Sequence, residues 1–305
     1  MSERGPGFVP TALGSVALEQ GRDVIHWFRF RSNTAITVGG GTAGLLVILA
    51  LVGPILSPYD PTAQALEARL QGPSLAHPLG TDSLGRDIAT RLTYGARVSL
   101  ALAVTATAVR LAIGTTVGLL AATAGRFVDT LLMRLVDVQL AFPGLVLALV
   151  IAGVLGPSLR NVVIALSLVG WASYARVVRG SVLAIKDRPF VQSAKLYGTP
   201  RHRLVRRHLL PHVVSPVLVL ATLNIGTVVL AAAGLSYLGQ GAQPPTSEWG
   251  TMIADGRNYL RLAPWIVTAP GVAIMLTVIT FNLLGDGLQD ALDPDHLDDR
   301  SRRRT

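Results

Sequence analysis

The chain contains no cysteine and only two lysines, and it is poor in charge overall. Without cysteine there can be no disulfide, no thiolate metal site and no cysteine nucleophile. Only 15% of the 305 residues are charged, 50% are hydrophobic, and the mean hydropathy is +0.49. This balance excludes a typical soluble domain and indicates a polytopic membrane protein.

Motifs for covalent chemistry are missing as well. Lys186 and Lys195 do not follow glycine, so a phosphate-binding loop of the Walker type is absent, and neither G-x-S-x-G nor H-E-x-x-H occurs. His208 and His212 stand four residues apart, but Pro211 lies between them, so we interpret the pair as a polar junction at the membrane face. We therefore expect no enzymatic activity, and no metal or cofactor bound by this chain.

Six apolar stretches predict membrane-spanning helices. They are continuous apolar runs, not the alternating ten-residue segments of an outer-membrane barrel, so each span must be helical. The small-residue pairs Gly40/Gly44 and Gly114/Gly118 predict close helix packing, and Pro143 predicts a bend in the third span. The predicted spans are 34–56, about 98–122, about 135–155, about 162–178, about 213–233 and about 265–284.

Most of the 27 Lys and Arg residues fall in segments that alternate spans place on one side. The positive-inside rule assigns that side to the cytoplasm, together with both termini. Because the basic residues lie in loops beside apolar spans, the net charge of +9 does not indicate a nucleic-acid partner. Trp249 and Trp265 are placed like interfacial anchors. The predicted division is a cytoplasmic segment 1–33, a first helix 34–56, an outer loop 57–97, a five-helix core 98–284 with a cytoplasmic loop 186–211 and an outer loop 236–263, and a cytoplasmic tail 285–305.

Arg110 falls near the middle of the second predicted span. An arginine at that depth costs about 2.5 to 3.5 kcal/mol on insertion scales, so it should face the bundle interior or a water-filled path and not lipid. Two interpretations stay open: a residue of a substrate pathway, or an interhelical ion pair or contact with a partner subunit.

The basic loop 186–211 is the longest polar interruption in the second half of the chain. Phe190, Ala194 and Tyr197 recur at helical spacing, which predicts a short helix with one small apolar face. Gly198 should end that helix in a left-handed conformation, and Thr199 before Pro200 predicts the N-cap of a second helix running to residue 210. The loop is therefore predicted to form a sharp corner between two short helices.

The segments QSAKLYG and RRHLLP within this loop resemble the EAA loop of ABC-transporter permease subunits. Ala194, Gly198, Leu210 and Pro211 match that pattern in register, whereas Gln192, Ser193 and His208 depart from it. The alternative is a basic loop that only obeys the topology rule. The resemblance implies that the loop couples the chain to a cytoplasmic ATPase through Phe190, Gln192, Ser193, Ala194, Tyr197, Gly198, Leu210 and Pro211.

Three further segments resemble dipeptide/oligopeptide-type permeases of the C class: HPLGTDSLGRDIATRLTYGAR, GLSYLGQGAQPPTSEWG and FNLLGDGLQDALDP. In the first of them, Asp82, Arg86 and Asp87 are predicted to form a hydrogen-bonded brace where the chain enters the membrane. A metal site built from His77, Asp82 and Asp87 is disfavoured, because five-residue steps share no helix or strand face.

The resemblance implies an all-α polytopic protein with six transmembrane helices and the type I ABC importer permease fold. It also implies a heterodimer with a second permease subunit, two ATPase subunits that bind ATP and Mg, an extracytoplasmic solute-binding protein, and the cytoplasmic membrane of a prokaryote. Peptides, nickel complexes and glutathione remain alternative substrates. A secondary transporter is less favoured, since Asp137 is the only acid near a span interior, and no convergent catalytic set suggests a membrane enzyme.

Overall fold

The computed structural model of the chain describes residues 34–292. The predicted segment 1–33 and residues 293–305 of the predicted tail lie outside the described residues. Between residues 34 and 292 the regular structure is helical, apart from one antiparallel bridge between Thr81 and Asp87. Nine helices follow one another in this part, besides short 3-10 turns at Leu66–Ala68 and Arg257–Tyr259: α1 Thr34–Leu56, α2 Ile88–Thr123, α3 Arg126–Leu140, α4 Gly144–Leu155, α5 Leu159–Ile185, α6 Pro189–Leu196, α7 Arg201–Tyr237, α8 Trp249–Gly256 and α9 Trp265–Leu292.

Five of these helices, α1, α2, α5, α7 and α9, are long and apolar enough to cross a membrane. Helices α3 and α4 together make a sixth candidate, but they are bent by 89° at the break between them. The chain is thus a multi-pass membrane protein, with five unbroken candidate spans in the described region and a sixth if the bent pair is counted as one span. The bend predicted at Pro143 in the third span, about 135–155, is present, but the helix is interrupted there and its first half begins earlier, at Arg126. Pro143 has no N–H to donate and restricts the residue before it, so the helix ends at Leu140 and restarts at Gly144.

The outer loop predicted at 57–97 is shorter in the structure, because α2 already begins at Ile88. Asp87 caps this helix: its side chain accepts a hydrogen bond from the backbone N–H of Thr90. Helix ends are set by such caps and not by hydropathy, so a helix extends beyond the apolar run that predicts it.

The other two predicted boundaries shift for the same reason. Helix α7 continues to Tyr237 and α8 lies inside the outer loop predicted at 236–263. Helix α9 continues to Leu292, so the first residues of the tail predicted at 285–305 are helical.

Helices α2 and α5 form the most extensive contact of the bundle. The pair Gly114/Gly118 makes it possible, as predicted: a Cβ on either glycine would meet Tyr174, Ala175 or Val178 of α5. Close contact of this kind replaces hydrophobic burial as the force that joins helices in lipid.

The pair Gly40/Gly44 is not where α1 packs most closely, since a Cβ on Gly40 would make only an ordinary contact with Leu284, at 3.9 Å. A Cβ on Gly44 would meet nothing within 4 Å, whereas one on Gly39 would lie 2.6 Å from the backbone nitrogen of Leu284 in α9. Several small residues follow one another in α1, and which of them faces a neighbour depends on α9, some 240 residues away in the sequence.

Candidate functional site

Helix α6 and the start of α7 form the predicted corner in the loop 186–211. Proline at position 189 begins α6, and Gly198 ends it with a φ of +73°, the left-handed conformation expected there. The N–H of Thr199 donates to the carbonyl of Ala194 at 3.1 Å, and the N–H of Gly198 donates to that of Lys195 at 3.0 Å. This double hydrogen bond is the Schellman motif, which fixes the angle of the corner without support from another chain.

The face that α6 buries differs from the predicted one. Val191 is fully buried and Ala194 is half-buried, and both pack against a cluster that includes Leu204 and Leu209. Of the predicted apolar face, Phe190 is 41% exposed and Tyr197 is 89% exposed. The two buried positions, Val191 and Ala194, are three residues apart, whereas the predicted face had spacings of four and seven.

The corner consequently carries an exposed apolar tip. Leu196 is 88% exposed and stands beside Tyr197, and Ser193 and Gly198 are exposed next to them. Large apolar side chains that lie this open, on a short helix with rigid ends and next to basic residues, are typical of a surface that binds another protein. We call Ser193, Leu196, Tyr197 and Gly198 the corner tip.

The second arm of the corner is continuous with the fifth span. Pro200, and not the predicted Thr199, is the N-cap of α7, and no side chain caps it. Residues Val205–Leu209 form a π-helical turn in which the N–H of Leu210 donates to the carbonyl of Val205. The wider turn accommodates Pro211, which lacks an N–H and would otherwise collide with the preceding turn. The two EAA-like residues Leu210 and Pro211 therefore lie within α7.

Other polar contacts tie the corner to the bundle. The Gln192 amide donates to Asp187 at 3.2 Å, and the ring of Phe190 lies 5.5 Å from the ring of His212. Most basic side chains of the corner are exposed, at Arg188, Lys195, Arg201, Arg203, Arg206 and Arg207.

Two ion pairs join α3 to α5. Arg179 donates to both carboxylate oxygens of Asp129, at 2.5 Å and 2.7 Å. Arg176 donates to Asp137 at 2.8 Å, and both of these side chains are more than half exposed. Asp137, the acid expected near a span interior, is thus paired on an exposed face.

Arg110 lies buried between α2 and α5. Its Nε donates to the carbonyl of Leu166 at 2.7 Å, and a Cβ at Gly170 would collide with its guanidinium. Within residues 34–292 no acidic side chain pairs with it. The sequence left two interpretations of Arg110 open, a pathway residue or an interhelical or intersubunit contact. The observed hydrogen bond is interhelical, and its acceptor is a backbone carbonyl, not an acid.

The structure brings Asp82 and Arg86 of the predicted brace together. Asp82 Oδ2 accepts from Arg86 Nε at 2.7 Å, and its Oδ1 accepts from the backbone N–H groups of Leu84 and Arg86. Two residues that the sequence interpretation missed complete the brace. Arg91 of α2 donates to Asp82 Oδ2 at 2.5 Å, and Asp255 of α8 lies 3.4 Å from both arginines. The brace therefore links the loop before α2 to helix α8.

Asp87 is not a member of this brace. Its carboxylate caps α2 and lies 3.0 Å from His77 Nδ1. No group of three or more His, Asp or Glu side chains in the described part of the chain is placed to hold a metal ion.

Trp249 is not an interfacial anchor, contrary to the expectation. It is only 1% exposed, and its indole N–H donates to the carbonyl of Leu92 at 3.0 Å. Glu248 beside it caps α8 and accepts a hydrogen bond from Ser99 of α2 at 3.2 Å. The indole N–H of Trp265 likewise donates to the carbonyl of Thr81. The sequence E-W-G-T could have indicated the start of α8, because an acidic residue there can cap a helix.

Comparison with known proteins agrees with this architecture. A family described as binding-protein-dependent transport system inner membrane component matches residues 114–296, and one described as the N-terminal TM domain of oligopeptide transport permease C matches residues 20–73. The chain is 43% identical to the dipeptide transport system permease protein of Alkalihalophilus pseudofirmus over 87% of this chain and 88% of the relative. It is 42% identical to the glutathione transport system permease protein of Pectobacterium atrosepticum, over 88% and 89%.

Solved structures share the fold at low sequence identity. A methionine ABC transporter in an inward-facing conformation superimposes with a TM-score of 0.55 at 19% identity, covering 67% of this chain and 96% of that one. An amino acid ABC transporter gives a TM-score of 0.53 at 16% identity, covering 66% and 94%. The fold is thus that of ABC transporter membrane subunits.

Proposed function

Because the chain belongs to the family of binding-protein-dependent transport system inner membrane components, we propose that it is the permease subunit of an ATP-driven importer that moves small peptides across the cytoplasmic membrane. The observation that carries this proposal is the corner formed by α6 and α7, with its exposed apolar tip. It occupies the segment that resembles the coupling loop of such permeases.

Peptides are the substrate class that we propose. The relatives named above include a dipeptide permease and a glutathione permease, and glutathione is itself a small peptide. Both relatives are aligned over nearly nine-tenths of their own length.

The permease would act with other subunits. We propose a second permease subunit as its partner in the membrane, two cytoplasmic ATPase subunits that bind ATP and Mg, and a solute-binding protein outside. In this arrangement the corner tip, Ser193, Leu196, Tyr197 and Gly198, contacts an ATPase subunit. Val191 and Ala194 support the tip from inside, so the EAA-like residue Ala194 acts through packing and not through direct contact.

The corner is suited to transmit force. Its C-cap hydrogen bonds and left-handed Gly198 fix the angle between α6 and α7, and α7 continues without interruption into a membrane span. A displacement of the corner tip is therefore transmitted to the membrane-spanning part of α7.

The proposal is tested by purifying the affinity-tagged full-length chain from its native membrane. We expect an ATPase and a second permease to co-purify, and peptide to stimulate ATP hydrolysis when the binding protein is added. Leu196→Asp and Tyr197→Asp should retain the second permease but lose the ATPase, by about tenfold or more in retained amount, because a buried apolar contact would then hold a charge.

Leu75→Asp serves as the matched control. Leu75 is also a fully exposed leucine, but it lies in the first outer loop, so the ATPase should stay bound. If no ATPase accompanies the parent chain, or if both tip variants retain it, the assignment of the corner is wrong.

A further inference from the structure

A cavity of about 400 Å³ lies at the corner, and none of the four residues of the corner tip lines it. The C-terminal end of α2 forms one wall with Ala122 and Thr123, and the two arms of the corner form the others. The floor is apolar. It is made by Val191, Leu204, Val205 and Leu209.

Three cationic side chains line this cavity: Lys186, Lys195 and Arg201. Lys195 Nζ donates to the backbone carbonyl of Lys186 at 3.3 Å, and the Arg201 side chain has no hydrogen bond or ion pair with any residue in 34–292. Two acids lie near the cavity. Asp187 follows Lys186 in the chain and accepts a hydrogen bond from Gln192 at 3.2 Å, and Asp129 acts electrostatically on Lys186. Both oxygens of the Asp129 carboxylate are already bound by Arg179. None of the residues that line the cavity is acidic, although three of them are cationic.

The choice of residue is informative. This chain uses arginine almost everywhere, and its only two lysines both line this cavity. A topology signal needs no such preference, because arginine and lysine serve the positive-inside rule equally. Lysine is a compact charge with three donors and a common ligand of phosphate, whereas arginine adds a planar pair of donors.

The position of the cavity fits the same chemistry. Lys186 directly follows the apolar span α5, so it lies where the hydrocarbon ends and polar headgroups begin. Basic pockets between spans on the cytoplasmic side are suited to phosphate-bearing headgroups. The volume is near the lower end for small-molecule sites, which is too small for a folded protein segment.

We propose that this cavity binds a phosphate ester or phosphate anion, held by Lys186, Lys195 and Arg201. The anionic headgroup of a phospholipid and free inorganic phosphate share this chemistry. A bound anion joins the end of α5, helix α6 and the start of α7, and so stiffens the corner on the bundle. The inference does not depend on which substrate is transported, or on the ATPase contact.

The two lysines also supply the test. The full-length chain, with the subunits that co-purify with it, is placed in lipid nanodiscs and treated briefly with an amine-acetylating reagent. Peptide mass spectrometry then gives the modification rates of Lys186 and Lys195 separately. One set of discs contains phosphatidylglycerol and the other contains phosphatidylcholine. In the phosphatidylcholine discs, the acetylation rates are measured once with inorganic phosphate and once with chloride at the same ionic strength.

We expect acetylation of both lysines to slow by about tenfold when an anion fills the site, the protection that corresponds to occupancy of about nine cavities in ten. Protection by phosphatidylglycerol alone identifies a lipid headgroup, and protection by inorganic phosphate alone identifies the free anion. Protection in neither arm overturns the proposal.

Matched variants separate a site from general surface potential. Arg201→Gln removes a cavity charge and should abolish most of the protection. Arg203→Gln removes an exposed charge from the same helical turn outside the cavity and should leave the protection intact. Equal loss in both variants would mean that only the overall charge matters, and would also overturn the proposal.

Discussion

Arg91 Nη1 lies 2.5 Å from Asp82 Oδ2, and both side chains are almost completely buried, with 2% and 1% of their surface exposed. Asp82 also binds Arg86, so one carboxylate serves two buried guanidinium groups. Breaking a buried pair from one side leaves an uncompensated charge, which costs far more than an exposed pair contributes.

Asp82→Asn should therefore destabilise the protein strongly. We expect the free energy of unfolding in mixed detergent micelles to fall by about 3 to 5 kcal/mol. Asp255→Asn is the matched control, since it makes the same chemical change in the same brace at 31% exposure and a distance of 3.4 Å. Its effect should be about 1 kcal/mol. A larger loss from Asp255→Asn than from Asp82→Asn would contradict the assigned centre of the brace.

Two glycines should respond oppositely to alanine. Gly198→Ala places a side chain at φ +73° and should cost about 1 kcal/mol or more of stability. Gly180→Ala, inside α5 with open space around its Cβ, should stabilise by about 0.5 to 1 kcal/mol. Thermal unfolding of the purified variants measures both, and Gly198→Asn should behave more like the parent because asparagine tolerates the left-handed region. The same sign for both alanine variants would be inconsistent with the corner described.

Arg110 and Gly170 should be energetically coupled. Gly170→Ala inserts a methyl group against the guanidinium and should destabilise the parent, but much less so in an Arg110→Ala background. We expect a coupling of about 1 to 2 kcal/mol in a double-mutant cycle of unfolding free energies. Gly114→Ala is the control. A Cβ at Gly114 would collide with the backbone of α5 and not with Arg110, so Arg110→Ala should not reduce the destabilisation caused by Gly114→Ala. Additive effects of Gly170→Ala and Arg110→Ala would place the guanidinium elsewhere.

Sidedness can be read from single cysteines, because the chain has none of its own. Ser74, Ser193 and Gln243 are all exposed, and they lie in the loop before α2, in the corner and in the loop before α8. An impermeant thiol reagent added to intact cells should label cysteine at positions 74 and 243, but at 193 only after the membrane is opened. Labelling of position 193 in intact cells would contradict the predicted topology.

The sequence predicts best what local chemistry decides. The first span, the packing of Gly114 and Gly118, and the left-handed Gly198 all follow from hydropathy, residue size or backbone freedom within a few positions. Each of these features is present in the structure.

Features that depend on distant partners were missed. Arg91 and Asp255 are 164 positions apart, and nothing near either residue indicates the other. Trp249 was predicted to be interfacial, but it is buried against α2. The face of α1 that packs most closely was not predicted, because it depends on the position of α9. The π-helical turn before Pro211 was also unexpected, because proline normally predicts a helix start or break.

Helix α7 has a mechanical consequence. Its 37 residues run from the corner, through the π-helical turn, to the loop before α8, a length of about 55 Å at 1.5 Å per residue. At its far end, Gly250 of α8 packs so closely on Ala233 that no side chain fits between them. The helix therefore connects the corner at one end of the bundle to α8 at the other end. A tilt of a few degrees at the corner displaces the far end by several ångströms, along with the loop that rests on it.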